Sequence, residues 1–292
     1  MSKPKTLLQF DPDSLPSSFD SIVAIDAGVD FLLPYGQVGA KDVERLVHGC
    51  IFTRGPQDLY NTAIFIGGTD VRVGEEIAGQ VKKTFFGPMR VSVMLDSNGC
   101  NSTAAAAVIS AAQHYALAGS RCLVFGATGS VGRRVCQLLA LRNAHVTVAS
   151  RSLTRAQSCC REMESSGISA SNLSLLEMDS TSVAKALTDS DIVFGCGAAG
   201  AELASSDALN AATNLKVAVD LNAVSPTGLG GVEIHDKAKS RNGRIDYGAL
   251  SVGGLKMKIH KAAIQQLFSR NDLFLDAEQM MEIGESLVKA AK

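Results

Sequence analysis

The segment Arg121–Ala140, RCLVFGATGSVGRRVCQLLA, sets an apolar run, a glycine-rich turn and an amphipathic run end to end. That order of strand, turn and helix is the context in which a dinucleotide fingerprint has physical meaning. Gly126 supplies the tight turn, Gly129 lets backbone approach a pyrophosphate, and Gly132 permits close packing of helix on strand. The N-terminus of the helix then faces the anion with its free N–H groups and positive dipole end. The spacing is G-x-x-G-x-x-G, with Ala127 where the strict pattern has glycine. Gly126, Ala127, Thr128, Gly129, Ser130, Val131 and Gly132 are therefore the first candidates for cofactor binding. A glycine turn with no ligand is the competing reading, and the flanking pattern weighs against it.

Outward from this turn, apolar runs alternate with helical periods. Strands are predicted at Cys122–Phe125, His145–Ala149, Leu173–Leu176, Ile192–Phe194 and Val217–Val219, with helices at Val131–Leu141 and Thr154–Met163. This repeated βαβ rhythm belongs to a doubly wound Rossmann-type parallel sheet. The second strand ends in Ser150 and Arg151, where NAD-binding proteins usually carry an acid for the ribose 2′-hydroxyl. A carboxylate there repels a 2′-phosphate, whereas Ser150 donates to it and Arg151 pairs with its charge, assisted by Arg155 one turn on. NADP is thus the expected cofactor, with NAD as a possible second. The alternative is that both arginines form an ordinary solvated helix start. Cys196, Gly197 and Ala198 after the fourth strand are small enough for a cofactor to lie across, and Asp220, Asn222 and Pro226 end the next strand on the same edge.

The first half has the same alternation, with strands at Thr6–Phe10, Ala63–Ile66 and Arg90–Leu95 and helices at Asp42–Val47 and Asp70–Phe85. Residues 20–34 are ambiguous. Asn101 or Ser102 is placed to cap a helix through the alanine-rich stretch to Leu117, with Gly119 ending it. Further helices are expected at Leu255–Phe268 and Ala277–Ala291. The fold class is α/β with two domains: 1–118 for substrate, 119–254 for the nucleotide, and 255–292 as terminal helices packing back on the first. The 292 residues are 46% hydrophobic and 20% charged, with a net charge of -1. Such a charge offers no field for nucleic acid or an acidic membrane surface, so small molecules are the expected partners. Seven cysteines without a Cys-x-x-Cys spacing, and five histidines without paired spacing, indicate neither a disulfide framework nor a metal site. The opening residues lack a signal peptide's apolar core, and a reducing cytoplasm is the expected compartment.

Three strings are more specific than the glycine turn: TAIFIGGTD (62–70), FFGPMRVSVMLDSNGCNSTAAA (85–106) and GALSVGGLKMKIHKAAI (248–264). Together with LLQFD (7–11) they closely resemble the NAD(P)-dependent methylenetetrahydromethanopterin dehydrogenases of bacterial one-carbon metabolism, over nearly the whole chain. The resemblance implies oxidation of a methylene group bridging two pterin nitrogens, on tetrahydromethanopterin or tetrahydrofolate, in a homo-oligomeric enzyme. It also implies Lys256 as the leading residue at the reacting substrate, and Asp96, Asn98, Asn101 and Asp20 as substrate-binding residues in an interdomain cleft. Asp26 is a weaker candidate. On residue chemistry alone, Asp96 to Asn101 are equally a helix cap and turn, and Lys256, Lys258 and Lys261 a solvated face. Two competing functions remain: a shikimate-type or other NADP-dependent dehydrogenase, and a non-catalytic NADP-binding sensor.

Overall fold

A computed structural model describes residues 3–291. Along the chain run Thr6–Phe10 (β1), Ser18–Asp26 (α1), Phe31–Tyr35 (β2), Ala40–Ile51 (α2), Thr62–Ile66 (β3), Val71–Thr84 (α3), Ser92–Leu95 (β4) and Cys100–Ala112 (α4). Then follow Arg121–Phe125 (β5), Ser130–Leu141 (α5), His145–Ser150 (β6), Leu153–Ser165 (α6), Leu173–Glu177 (β7), Ser180–Thr188 (α7), Ile192–Gly195 (β8), Ser206–Ala211 (α8) and Val217–Asp220 (β9). Lys239–Arg241 (β10), Arg244–Tyr247 (β11), Ala249–Gln266 (α9), Phe274–Leu275 (β12) and Ala277–Ala290 (α10) complete it. By their contacts these elements form two units, one of the chain up to Ser102 with the segment from Met257 onward, the other of Thr103–Lys256.

In the first unit the sheet order is β12-β4-β3-β1-β2, and each pairing is parallel. Parallel neighbours need crossover connections, which the helices supply. The central strand β3, TAIFI, is buried throughout, as its β-branched and aromatic residues suit, whereas the edge strand β2 is largely exposed. Helix starts are satisfied by side chains: Ser17 accepts from the Asp20 amide, Asp70 from Arg72 and Val73, and Asp276 from Glu278. The chain adds β2 on one side of β1 and returns to place β3 on the other. The strand order therefore reverses between β1 and β3, the kind of switch point at which α/β sheets place ligands beyond the C-terminal strand ends.

The second unit has the order β10-β11-β9-β8-β5-β6-β7, parallel except for the antiparallel edge strand β10. Here the order reverses between β5 and β8, with Phe125 opposite Gly195. This is the α/β, doubly wound arrangement anticipated from the sequence.

Several elements differ from expectation. The ambiguous residues 20–34 hold the end of α1 and strand β2, whose Phe31 and Leu33 are exposed although apolar. The β10–β11 hairpin escaped notice because its strands are rich in charge; Asn242 and Gly243, both at positive φ, make its turn. Arg244 and Asp246 are buried there as a pair, Nε to Oδ1 2.8 Å, with Arg241 adding a second contact at 3.2 Å. Helix α9 starts at Ala249, not Leu255, running through Gly253 and Gly254. Each glycine costs a helix roughly 1 kcal/mol relative to alanine, which made the pair read as a break. Helix α4 stops at Ala112 rather than Leu117, and neither Asn101 nor Ser102 caps it, since both lie inside the helix.

Gly132 shows how tightly α5 sits on the turn after β5. A Cβ there would lie 2.3 Å from the Gly126 carbonyl oxygen and 2.8 Å from the Ala127 Cα, both backbone atoms. We expect Gly132→Ala to lower the unfolding free energy by about 2 kcal/mol or more, the scale of overpacking against a backbone that cannot yield. Thermal denaturation of the purified variant checks this, and an unchanged midpoint would contradict the packing.

Candidate functional site

In the second unit, the crevice between β5 and β8 opens into a cavity of about 330 Å³. Gly126, Thr128, Gly129, Ser150, Arg151, Arg155, Cys196, Gly197 and Ala198 line it, together with Ser152, Met178, Ala201, Glu202 and Leu203. Gly126 has φ +66, and a Cβ on it would meet the Cys196 carbonyl oxygen at 2.5 Å. Only glycine lets the two loops come this close. Gly129 caps α5 without a side chain, so the first amides of that helix, from Ser130 and Val131, keep no side-chain acceptor. A glycine cradle ending in an open helix N-terminus fits a diphosphate.

The far side of the cavity is the start of α6. Ser152 caps this helix by accepting from the Arg155 amide, and the Ser150 hydroxyl accepts from the Ser152 amide. Arg151 and Arg155 are exposed, and among the described residues neither forms an ion pair. Two guanidinium groups and two hydroxyls thus gather where β6 ends. Met178, after β7, adds an apolar wall. Burial pushes the Cys196 thiol far above its ordinary range, with the charge of Asp220 adding to the effect, so it lines the cavity as a neutral group.

Ala127, Gly132 and Asn222 lie behind this surface. All three are buried, and the Asn222 side chain accepts from the Val224 and Gly200 amides and donates to the Pro226 carbonyl. Asn222 ties the loop after β9 to the loop after β8. Asp220 is buried too, and loss of water raises its carboxyl pKa despite backbone hydrogen bonds from Leu229 and Asn222.

In the first unit, the loops after β1, β3 and β4 meet at the strand ends. Asp13 accepts from the Thr69 amide at 3.0 Å and its hydroxyl at 2.9 Å, the Ser97 hydroxyl donates to the Gly67 carbonyl, and the Asn98 amide donates to the Gly68 carbonyl at 2.7 Å. Asn98 adopts φ +53 and is exposed, a conformation asparagine tolerates better than most residues. Asp20 is half-buried, and a Cβ on Gly67 would lie 3.6 Å from its carboxylate. Asp20 and Asn98 therefore belong to one rim.

Asp96 faces inward. Its Oδ1 accepts from the Asn101 and Ser102 amides at 2.9 and 3.0 Å, which caps α4, and its Oδ2 takes the Ser102 hydroxyl and His260 Nδ1. Asn101 is buried and donates to the Leu95 carbonyl at 2.6 Å. Burial works to raise the Asp96 pKa, but the hydrogen bonds and charge from His260, with those from Ser102, outweigh it and hold the carboxyl below its usual range. On α9, Lys256 is half-buried, Lys258 is exposed, and Lys261 pairs with Asp26 at 2.8 Å.

Sequence reasoning missed Asp13, Thr69, Met178 and Ser152, and it weighed His260, one helical turn after Lys256, as a cleft residue but preferred a surface or packing role. Ser152 carried a legible signal, a serine before a helical period. The partner of His260 carried none, for Asp96 is 164 residues away.

The first unit's residues 18–98 match the N-terminal domain of methylene-tetrahydromethanopterin dehydrogenase, and residues 126–227 match an NAD(P)H-binding domain. Over its whole length the chain is similar to a bifunctional protein, MdtA, of Methylorubrum extorquens, with 39% identity covering 98% of this chain and 100% of the relative. It is also similar to the NAD(P)-dependent methylenetetrahydromethanopterin dehydrogenase of the same organism, 32% identical over 82% of this chain and 84% of the relative. Among solved structures, shikimate 5-dehydrogenase from Listeria monocytogenes covers 98% of this chain and 96% of its own, at a TM-score of 0.51 and 14% identity. That last likeness shows a shared fold.

The depressed Asp96 pKa has a sign that can be measured. A carboxyl held lower in the folded than in the unfolded chain stabilises above its unfolded value of about 3.9 and loses that contribution as pH falls through the folded value. Thermal melting followed from pH 7 down to pH 3 should therefore show an acid-side loss that is shallower in Asp96→Asn. Parallel curves for the two proteins would remove Asp96 from the acid response.

Proposed function

The chain belongs to the methylenetetrahydromethanopterin dehydrogenase family, and we infer that it catalyses NAD(P)-dependent oxidation of the methylene group of methylenetetrahydromethanopterin to the methenyl form. The observation that carries this reading is similarity running through the substrate-specific first unit as well as the nucleotide unit. A shikimate-type chemistry has only a shared fold in its favour, and fold does not imply function.

The chemistry asks little of acids or bases. Lone pairs on the two flanking nitrogens delocalise the positive charge as the hydride departs, so the protein's work is to hold the reacting carbons in contact and keep water away. A bound nicotinamide nucleotide supplies the hydride acceptor. The amides of Ser130 and Val131 hold its diphosphate, with Gly126, Ala127, Thr128, Gly129 and Gly132 shaping the turn, where the Gly129 amide donates to the Gly126 carbonyl, and Cys196, Gly197, Ala198 and Asn222 shaping the opposite loop. Ser150, Arg151 and Arg155, aided by Ser152, take the 2′-phosphate, which makes NADP the preferred cofactor and NAD the weaker one. On the substrate side, Asp20 and Asn98 hydrogen-bond the pterin, Asp96 places negative charge beneath the developing cation, Asn101 supports that rim, and Lys256 orients the ring.

Tetrahydrofolate, which presents the same bridging methylene group between two nitrogens, is a second carrier under this reading. A homo-oligomer fits the exposed Ile22 and Ile25 of α1 and Phe31 and Leu33 of the edge strand β2, which a second copy would cover. The cytoplasm is the proposed compartment. All seven cysteines are free there, and no described helix is long and apolar enough to cross a membrane.

The test mixes the protein with methylenetetrahydromethanopterin or methylenetetrahydrofolate and with NADP or NAD, following reduced-nicotinamide absorbance. Turnover is expected with the methanopterin carrier and fastest with NADP; silence in all four mixtures with NADP still bound would overturn the reading. Arg151→Ala should lower the ratio of kcat/KM for NADP over NAD by about tenfold or more, the loss of a charge-assisted hydrogen bond of roughly 1.5–3 kcal/mol. An unchanged ratio would take Arg151 out of the phosphate site. In the same assay Lys256→Ala should cut turnover about tenfold or more while the dissociation constant for NADP stays nearly constant, as expected for a group that positions substrate alone.

A further inference from the structure

We propose that His260 is a positioning residue for the hydride transfer: by donating from Nδ1 to Asp96 it locks the rotation of α9, and with it the direction in which Lys256 leaves that helix. The inference rests on the function proposed above and adds a residue to it. Both passages of the chain from one unit to the other run inside helices, α4 after Ser102 and α9 before Met257. One carboxylate fastens both helices to the first unit. Asp96 Oδ1 accepts from the first-turn amides of α4, and Oδ2 receives His260 Nδ1 of α9 at 3.0 Å. Asp96 itself follows β4 directly, so the anchor reaches into the sheet.

Among the described residues the imidazole has no other polar contact. It is fully buried, it packs edge-on against Phe65 of β3 with ring centroids 5.6 Å apart, and its Nε2 has no hydrogen-bond partner. A buried nitrogen without a partner is a cost that an apolar side chain of similar size would avoid. What an apolar residue would not keep is the bond to Asp96. The tether is thus the polar service that this histidine performs in a dry site. Lys256 lies four residues before His260, on the same side of the helix. A small rotation of α9 would swing the lysine, and hydride transfer is sensitive to such shifts, a misplacement of about 1 Å costing on the order of 10²-fold in rate.

His260→Phe, His260→Asn and His260→Gln in the full-length protein test this. The readouts are kcat, KM for methylenetetrahydromethanopterin, the dissociation constant for NADP, and the isotope effect with substrate deuterated at the methylene carbon. In His260→Phe, kcat should fall about tenfold or more and the isotope effect should rise, while NADP binding changes by less than about twofold. His260→Asn keeps an N–H donor near the place of Nδ1, and kcat should recover to within about threefold of the parent. A normal kcat in His260→Phe would overturn the proposal. So would His260→Asn as impaired as His260→Phe, because the reaction would then be using the ring and not the tether. Should His260→Phe fail to fold, His260→Gln decides the matter, because its amide falls near the place of Nε2 and not of Nδ1: its kcat should fall with NADP affinity retained, and an unaffected kcat overturns the proposal. A parent protein silent on both pterin carriers fails the functional reading itself and removes this inference with it; an active parent with normal variants fails the inference alone.

Discussion

A carboxylate without water needs several donors at once, and Asp96 shows how much of the first unit is arranged to supply them. Two amides come from the start of α4, a hydroxyl from Ser102 and an imidazole N–H from α9. Each donor fixes a different piece of chain relative to the end of β4. The loop from Ser97 to Gly99 is then held between that cap and the glycines after β3, through the Ser97 hydroxyl and the Asn98 amide. Remove the charge and the cap, the loop and the helix contact lose a common partner.

The second unit solves a related problem with no charge at all. The turn after β5 brings backbone against backbone, Gly126 beside Cys196 and Gly132 over Gly126, so that the start of α5 stays open. In both units the candidate site lies where the strand order reverses, because helices on either side of such a reversal leave the strand ends uncovered. One rim is built from a satisfied carboxylate and asparagine, the other from glycine and the first amides of a helix that no side chain caps. A reaction that needs contact and dryness more than proton transfer is compatible with so few titratable groups lining the nucleotide cavity.

The parts legible in advance were those governed by local chain chemistry. The strand, glycine turn and helix at Arg121–Leu141 lie where the pattern put them, as do the β6 strand and the serine and arginine that follow it. The parts misjudged share a different character. Strand β2 is apolar yet exposed at the sheet edge, and the β10–β11 hairpin is charged yet buried, because Arg244 and Asp246 satisfy one another. Helix α9 runs through a glycine pair whose cost is local while its compensation, packing of Ile259, His260 and Ala263, lies elsewhere in the fold. Hydropathy and propensity read a residue by its type; these elements depend on the neighbours it acquires.

By itself, then, the sequence determined the α/β class, the nucleotide-binding turn and the family, since each is written in contiguous strings whose spacing is set by backbone geometry. That Asp96 and Asn101 are buried, that Lys261 pairs with Asp26, and that His260 meets a carboxylate 164 residues away were decided only by the tertiary structure. Those are questions of which long-range partner satisfies a polar atom. No periodicity carries that answer, because hydrogen-bond partners brought together by packing bear no fixed distance along the chain.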